Sequence, residues 1–255
     1  MADIEHLPSG WTHIGFEEID STNAEAMRRA ASGERRPLWI TARRQTRGRG
    51  RSGRSWTSVE GSLAATLLFR PSCALCVLPQ LSLVAGVATH AAVTAALPQE
   101  SRHRCGLKWP NDVLIDGAKV SGILVESAVV GTEPAVAIGI GINAGAAPVF
   151  ADRLASGLAQ FGAATATEKM SNLLASALAH WLAIWSGGDG FEDVRAGWLQ
   201  RGSSVGDRMT VHAGDVQVMG YFSGLDADGS LLVSDDGGVI RRFTFGDVAL
   251  GAPRV

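Results

Sequence analysis

Residues 45–56 read Gln-Thr-Arg-Gly-Arg-Gly-Arg-Ser-Gly-Arg-Ser-Trp, which sets Arg47, Arg49, Arg51 and Arg54 among Gly48, Gly50 and Gly53. Arginine supplies a planar, permanently charged fork for phosphate or carboxylate, and glycine leaves the backbone open to a close ligand. The stretch is composed as an anion site, and no other segment of the chain concentrates cations in this way. The same composition also describes a solvated loop with no partner, or an arginine-glycine tract for RNA. RNA tracts are usually longer and more repetitive, whereas this one is flanked by apolar, strand-like segments.

A second group of polar residues follows. Lys108-Trp109-Pro110-Asn111-Asp112 leads through an apolar run to Asp116-Gly117, and then to Lys119-Val-Ser-Gly122-Ile-Leu-Val-Glu126. Apolar runs on both sides of Asp-Gly predict a β-hairpin, so Lys108, Asn111, Asp112 and Lys119 gather at one end of a sheet. Pro110 fits a strand edge or a bend. Earlier in the chain, Asp20-Ser21-Thr22-Asn23-Ala-Glu25 reads as a helix start with Thr22 and Glu25 as a capping box; a helix N-terminus can also hold a carboxylate or carbonyl. Gly139-Ile-Gly141-Ile-Asn143 closes an apolar strand, and no helix clearly opens after it. Its Gly-x-Gly is therefore read as room for close backbone approach, not as a dinucleotide fingerprint. Cys73, Cys76 and Cys105 are odd in number, and Cys73-Ala-Leu-Cys76 lacks the second ligand pair that zinc would need.

The elements that must position these residues are legible as patterns. Strands are expected over 13–19, 38–42, 62–69 and 135–142, with the arginine stretch as the loop between the second and third. Helices are expected from the Ser21–Asn23 start through Met27 toward Gly33, and as a buried Ala- and Val-rich run over 77–97. Met170, Leu173, Leu174, Ala177, Leu178, Trp181 and Trp185 recur at i, i+3, i+4 and predict a scaffold helix over 167–185, with Thr165 and Glu168 as its capping box. Another helix is expected over 191–199. After Gly202, short apolar runs over 209–212, 216–222, 231–233 and 239–245, separated by Gly and Asp, describe a small all-β, barrel-like module.

The chain has 255 residues, 46% hydrophobic and 19% charged, with a formal net charge of -2, as expected of a globular protein with a sizeable core. Near-neutral charge argues against general nucleic-acid binding, which spreads basic residues over a face. The opening Met-Ala-Asp-Ile-Glu-His lacks the features of a signal peptide, and no apolar run is read as reaching membrane-spanning length, so a cytoplasmic location is expected.

In this order along the chain, Gly48-Arg-Gly-Arg51-Ser-Gly-Arg54-Ser-Trp56, Lys108-Trp-Pro-Asn-Asp112 and Lys119-Val-Ser-Gly122-Ile-Leu-Val-Glu126 resemble the signature of the biotin-protein ligases. Ser21-Thr22-Asn23 ahead of them, 139–143 behind and the small β module extend the resemblance over nearly the whole chain. It implies an α+β fold: a catalytic domain, residues 1–201, with a mixed central β-sheet flanked by helices, and a C-terminal SH3-like β-barrel, residues 202–255. It implies that biotin and ATP, with Mg2+, form biotinyl-adenylate and pyrophosphate, and that a lysine of a biotin carboxyl carrier protein, such as the acetyl-CoA carboxylase subunit, then takes the biotinyl group. Neither DNA nor membrane is expected as a partner; a homodimer is compatible with the resemblance. With few residues ahead of the first strand, the helix-turn-helix repressor domain of some relatives is not expected. The double arginine followed by a triple glycine associated with lipoate-protein ligases is missing, which ranks that same-fold alternative lower.

Carried over by position, the resemblance assigns catalysis to Lys119, Arg51 and Asp112. Biotin falls to Ser21, Thr22, Asn23, Gln45, Arg49, Gly50, Arg51 and Lys119, with Gly122, Gly139 and Gly141 lining the pocket. The nucleotide falls to Arg49, Arg51, Arg54, Trp56, Lys108, Asn111 and Asn143. Asp112 is also the candidate metal ligand, and the arginine loop is expected to be a flexible lid that orders around the ligands.

Overall fold

The computed structural model describes residues 7–151 and 154–251; the opening six residues read above for a targeting signal and the last four of the β module lie outside the described residues. The chain begins β1 (Thr12–Ile19), α1 (Thr22–Ala31), β2 (Leu38–Gln45), β3 (Leu63–Phe69), α2 (Leu81–Ala96). It continues β4 (Cys105–Lys108), β5 (Asp112–Ile115), β6 (Ala118–Val130), β7 (Glu133–Ile142), α3 (Thr167–Trp185) and α4 (Phe191–Leu199). These seven strands form one sheet in the order β1-β2-β3-β7-β6-β5-β4. Only the β1–β2 pair is parallel, so the sheet is mixed as expected.

Period-two alternation sorts the sheet into two faces. Leu38, Ile40, Leu68, Ala135 and Ala137 pack against Ala26 and Ala30 of α1 on one face. Their sequence neighbours, among them Trp39, Leu67, Val136 and Ile138, join the larger core with α2, α3 and α4 on the other. Trp39 is fully buried there and donates its indole N–H to Ser171 Oγ of α3 at 2.9 Å, so the large ring brings no unsatisfied donor into the core.

Several local expectations need correcting. The cap of α1 is Ser21, whose hydroxyl accepts from Ala24 N, one residue ahead of the Thr22–Glu25 box. Glu25 instead pairs with Arg28 and Arg29 one turn on. The cap of α3 is Ala166, with no side-chain bond, so the Thr165–Glu168 box does not form. The buried helix starts later than residue 77, because a 3-10 turn over Leu75–Gln80 with Pro79 precedes it. The combined run Leu75–Ala96 has 22 residues and a mean hydropathy of 1.5, long and apolar enough to cross a membrane, contrary to the sequence reading. Its burial against α3, α4 and the sheet explains the composition, which is that of a core helix.

The polar motif around Pro110 folds as expected, with Pro110 in a bend and a hairpin at Asp116–Gly117. β4 and β5 are two strands joined at residues 109–111, and β5 turns into β6 through Asp116 and Gly117, at φ 49° and 78°. These angles are the left-handed pair that a two-residue hairpin turn requires.

The remaining strands β8 (Arg208–Ala213), β9 (Val216–Leu225), β10 (Leu231–Ser234), β11 (Ile240–Phe243) and β12 (Asp247–Leu250) form an SH3-like antiparallel sheet in the order β11-β10-β9-β8-β12. Its inner residues Val211, Phe222, Leu225, Leu231 and Val233 belong to the same core cluster as α2 and α4. Trp109 of the polar motif donates to Gly229 O at 3.1 Å, so the second sheet is tied directly to the motif.

Candidate active site

The face of the large sheet that carries α1 changes character along its strands. Paired positions Leu68, Ala137 and Glu126 form one row; Thr66, Gly139 and Leu124 the next; Ala64, Gly141, Gly122 and Asp112 the third. Opposed residues of antiparallel strands share a face, so the row under α1 is filled and the following two open into a hollow. That hollow is a cavity of about 910 Å³, within the roughly 300–1,000 Å³ usual for small-molecule sites. It is lined by every residue assigned to the site from the sequence: Ser21, Thr22, Asn23, Gln45, Arg49, Gly50, Arg51, Arg54, Trp56, Lys108, Asn111, Asp112, Lys119, Gly122, Gly139, Gly141 and Asn143.

The glycines make space for two particular side chains. A methyl group at Gly139 would come to 2.1 Å from Asn23 Oδ1, and one at Gly141 to 2.3 Å from the Trp56 ring. Trp56 thus lies against the glycine floor, with its indole nitrogen buried and without a hydrogen-bond partner. Gly141→Ala is expected to expel this ring and to destabilise the fold by about 1–3 kcal/mol, the usual cost of overpacking. Urea unfolding and the Trp56 indole N–H resonance check it; an unchanged midpoint with an unmoved resonance would refute the packing described.

Asn23 is fully engaged by the protein. Its amide donates to Leu124 O at 3.1 Å and Glu126 Oε2 at 2.8 Å, and its Oδ1 lies 2.7 Å from the Thr66 hydroxyl. Both donors are used by the protein, so its geometry is that of a strut under the pocket that it lines. Gln45 Oε1 accepts from Thr22 N at 2.8 Å and Thr22 Oγ1 at 3.1 Å. That leaves the Gln45 amide nitrogen as the group of this pair that can offer hydrogen bonds to a ligand.

The arginine loop is folded, not a bare flexible tether. Gly50 N bonds to Arg54 O at 2.7 Å and Trp56 N to Gly48 O at 2.9 Å, closing a small hairpin around a 3-10 turn at Arg51–Gly53. Its arginines are held differently. Arg49 pairs with Glu126 at 2.8 Å, and Arg54 takes both oxygens of Asp247 at 2.6 and 2.7 Å. Among the described residues Arg51 bonds only to neutral oxygens, Asn111 Oδ1 at 3.1 Å and Gly246 O at 3.0 Å. Burial lowers the Arg51 pKa from its ordinary value against support from Asp247 and Asp112, so this cation stands in a partly dry site with no carboxylate among the described residues bonded to it.

Lys119 and Lys108 share one carboxylate. Lys119 Nζ lies 2.5 Å from Asp112 Oδ1, and Lys108 Nζ lies 3.0 Å from Asp112 Oδ2. Burial works against ionisation of Asp112, but the two ammonium groups, Lys119 foremost, outweigh it and hold the carboxyl below its usual range. Two lysines on one aspartate leave net positive charge beside Arg51, the arrangement that an anion meeting another anion requires. It also corrects the metal assignment: both Asp112 oxygens are occupied by ammonium groups, and no cluster of three or more His, Cys, Asp or Glu suited to a metal occurs among the described residues. The residues present do not fit a protein-held Mg2+.

Sequence reading assigned no residue of the second sheet to the site, although the module was expected to help hold a ligand. His212, Asp247, Ala249 and Gly251 form part of the cavity wall, and Pro148, Phe150, Leu154 and Ala155 close another side. β12, which carries Asp247, lies beyond the last apolar run read from the sequence, 239–245, because its four residues show no alternation of their own. The three cysteines are free thiols, and burial pushes Cys105 up to about 11, so none reads as a nucleophile.

Residues 15–143 match the biotin/lipoate A/B protein ligase family, and residues 206–251 match the biotin protein ligase C-terminal domain. A biotin–[acetyl-CoA-carboxylase] ligase of Paracoccus denitrificans is 39% identical over 228 residues, 86% of this chain and 92% of that protein. One from Mycobacterium tuberculosis is 33% identical, covering 94% and 90% of the two chains. A structure of biotin protein ligase from Aquifex aeolicus in complex with biotin and ATP superposes with a TM-score of 0.76 at 27% identity, covering 94% of this chain and 98% of that one. With this architecture, cavity and similarity, the chain belongs to the biotin/lipoate A/B protein ligase family and carries the C-terminal domain of its biotin protein ligases.

Proposed function

We propose that the chain is an ATP-dependent biotin–[carboxyl carrier protein] ligase, which activates biotin as biotinyl-5'-AMP and transfers it to a lysine of the biotin carboxyl carrier subunit of acetyl-CoA carboxylase. The observation that carries this reading is Arg51, a cation whose partners among the described residues are neutral oxygens, beside the Lys108–Asp112–Lys119 cluster in a ligand-sized cavity. In the first step a biotin carboxylate oxygen forms a bond to the α-phosphorus of ATP and the bond to pyrophosphate breaks. Two anions approach, and Lys119 and Arg51 offset their repulsion and the charge of the transition state. Ser21, Thr22 and Gln45 line the biotin end; Arg54, Lys108, Asn111, Trp56 and Asn143 serve the nucleotide end. Magnesium enters as the counter-ion of ATP.

In the second step the acceptor amine bonds to the biotinyl carbonyl and AMP leaves. The mixed anhydride must be kept from water until then, and the arginine hairpin is placed as the cover. We assign residues 1–201 to this chemistry and 202–255 to the module that completes the cavity wall and braces the hairpin, with the reaction in the cytoplasm. Incubation with Mg2+-ATP and either biotin or lipoate, following pyrophosphate, tests the reading. Release with biotin is expected, while release with lipoate alone, or with neither acid, refutes it.

A further inference from the structure

We propose that Glu126 is a positioning residue that joins the arginine hairpin to the floor of the cavity and sets affinity for the carboxylic-acid substrate. This rests on the ligase reading. Glu126 is not among the cavity-lining residues, yet a single oxygen, Oε2, lies 2.8 Å from both Asn23 Nδ2 and Arg49 Nη2. Asn23 lies in the first turn of α1 directly after Ser21 and Thr22, and its other bonds go to Leu124 O and Thr66. Arg49 belongs to the arginine hairpin, which supplies part of the cavity lining. One carboxylate therefore spans from the buried strut to the cover. It neutralises Arg49 and fixes its direction, leaving Arg51 as the hairpin's anion-facing charge.

The other end of the hairpin is held separately by Asp247 through Arg54. The two anchors consequently divide the cavity: loss of Glu126 frees the end beside Ser21, Thr22 and Gln45, while the Arg54 end stays fixed. A carboxylate deeper in β6 with only a packing role would affect both substrates alike. Glu126 faces Ala137 across the β6–β7 pair and leaves that backbone pairing intact when replaced.

The test uses the full chain with Glu126→Ala and the isosteric Glu126→Gln, and measures biotin-dependent pyrophosphate release with each substrate varied in turn. Glu126→Ala is expected to raise KM for biotin about tenfold, the equivalent of one charge-assisted hydrogen bond, with kcat and KM for ATP changed by less than about twofold. Glu126→Gln, which keeps an acceptor but not the charge, falls between wild type and alanine. Equal rises in both KM values, or none, overturn the proposal. A second readout needs no turnover: amide exchange at Gly50, whose N–H closes the hairpin onto Arg54 O, accelerates in Glu126→Ala while the β6–β7 amides keep their protection. Unchanged exchange at Gly50 overturns the anchoring role. If the wild-type chain releases no pyrophosphate with biotin, the ligase reading fails, and the exchange result alone decides whether Glu126 holds the hairpin.

Discussion

Replacing Lys119 with alanine is expected to cut biotin-dependent pyrophosphate release by roughly two to three orders of magnitude, the loss of one preorganised charge contact in the transition state, while the protein stays folded. The fold survives because Asp112, which faces Lys119 Nζ at 2.5 Å, keeps Lys108 at 3.0 Å on its other oxygen. A buried carboxylate that lost both cations would be stranded; one that loses a single partner is not. Activity does not survive, because the same ammonium reaches the cavity and Lys108 cannot leave Asp112 unpaired to replace it. Lys119→Arg is expected to restore little, since a planar guanidinium does not reproduce a compact point charge at a site already crowded by Gly122, where a methyl group would approach Lys119 Nζ to 3.0 Å. Single-turnover adenylation, with thermal unfolding run in parallel, is the measurement. Turnover within a few-fold of wild type in a folded Lys119→Ala protein would remove Lys119 from the catalytic assignment.

What could be read from the chain beforehand was local in origin. Glycine at Gly139 and Gly141, Asp-Gly at 116–117 and the helical rhythm of α3 each record a constraint met within a few residues, and each reappears in the structure where its pattern placed it. The partners of the site residues were not legible, because they come from distant segments. Thr66 beneath Asn23, Glu126 across from Arg49 and Asp247 on Arg54 are fixed by strand register and by docking of the second sheet. That is why the arginine loop read as flexible: its composition is mobile, and its order is supplied by carboxylates 77 and 193 residues away. The α1 capping error has a related cause. Ser21 and Thr22 are both competent caps, and the choice is made by Gln45, which takes the Thr22 N–H and hydroxyl for the pocket.

The same long-range docking yields a second large expected effect. Trp198→Ala should destabilise the protein by about 3–5 kcal/mol, the range for removing a buried aromatic ring, and should lower the unfolding of both sheets together. Trp198 lies on α4 at 1% exposure, with its ring centroid 6.2 Å from that of Phe222 on β9. A methyl group at Gly202 would come to 2.3 Å from it, so the chain leaves α4 pressed against the ring. Around this contact three further hydrogen-bonded points tie the β4–β5 segment, α4 with its C-terminal end, and the second sheet together. Leu107 N meets Arg201 O at 2.7 Å, Arg195 grips Leu225 O at 2.9 and 2.7 Å, and Trp109 reaches Gly229 O at 3.1 Å. The proposed division at residue 201 separates segments of sequence; the core on either side of it is continuous. If that continuity governs stability, urea unfolding followed by circular dichroism and by amide exchange in β7 and β9 gives one midpoint, shifted equally for both strands by Trp198→Ala. Two separate midpoints, with β7 retaining its protection in the variant, would make the second sheet an independent unit and confine the stabilising role of Trp198 to its own side.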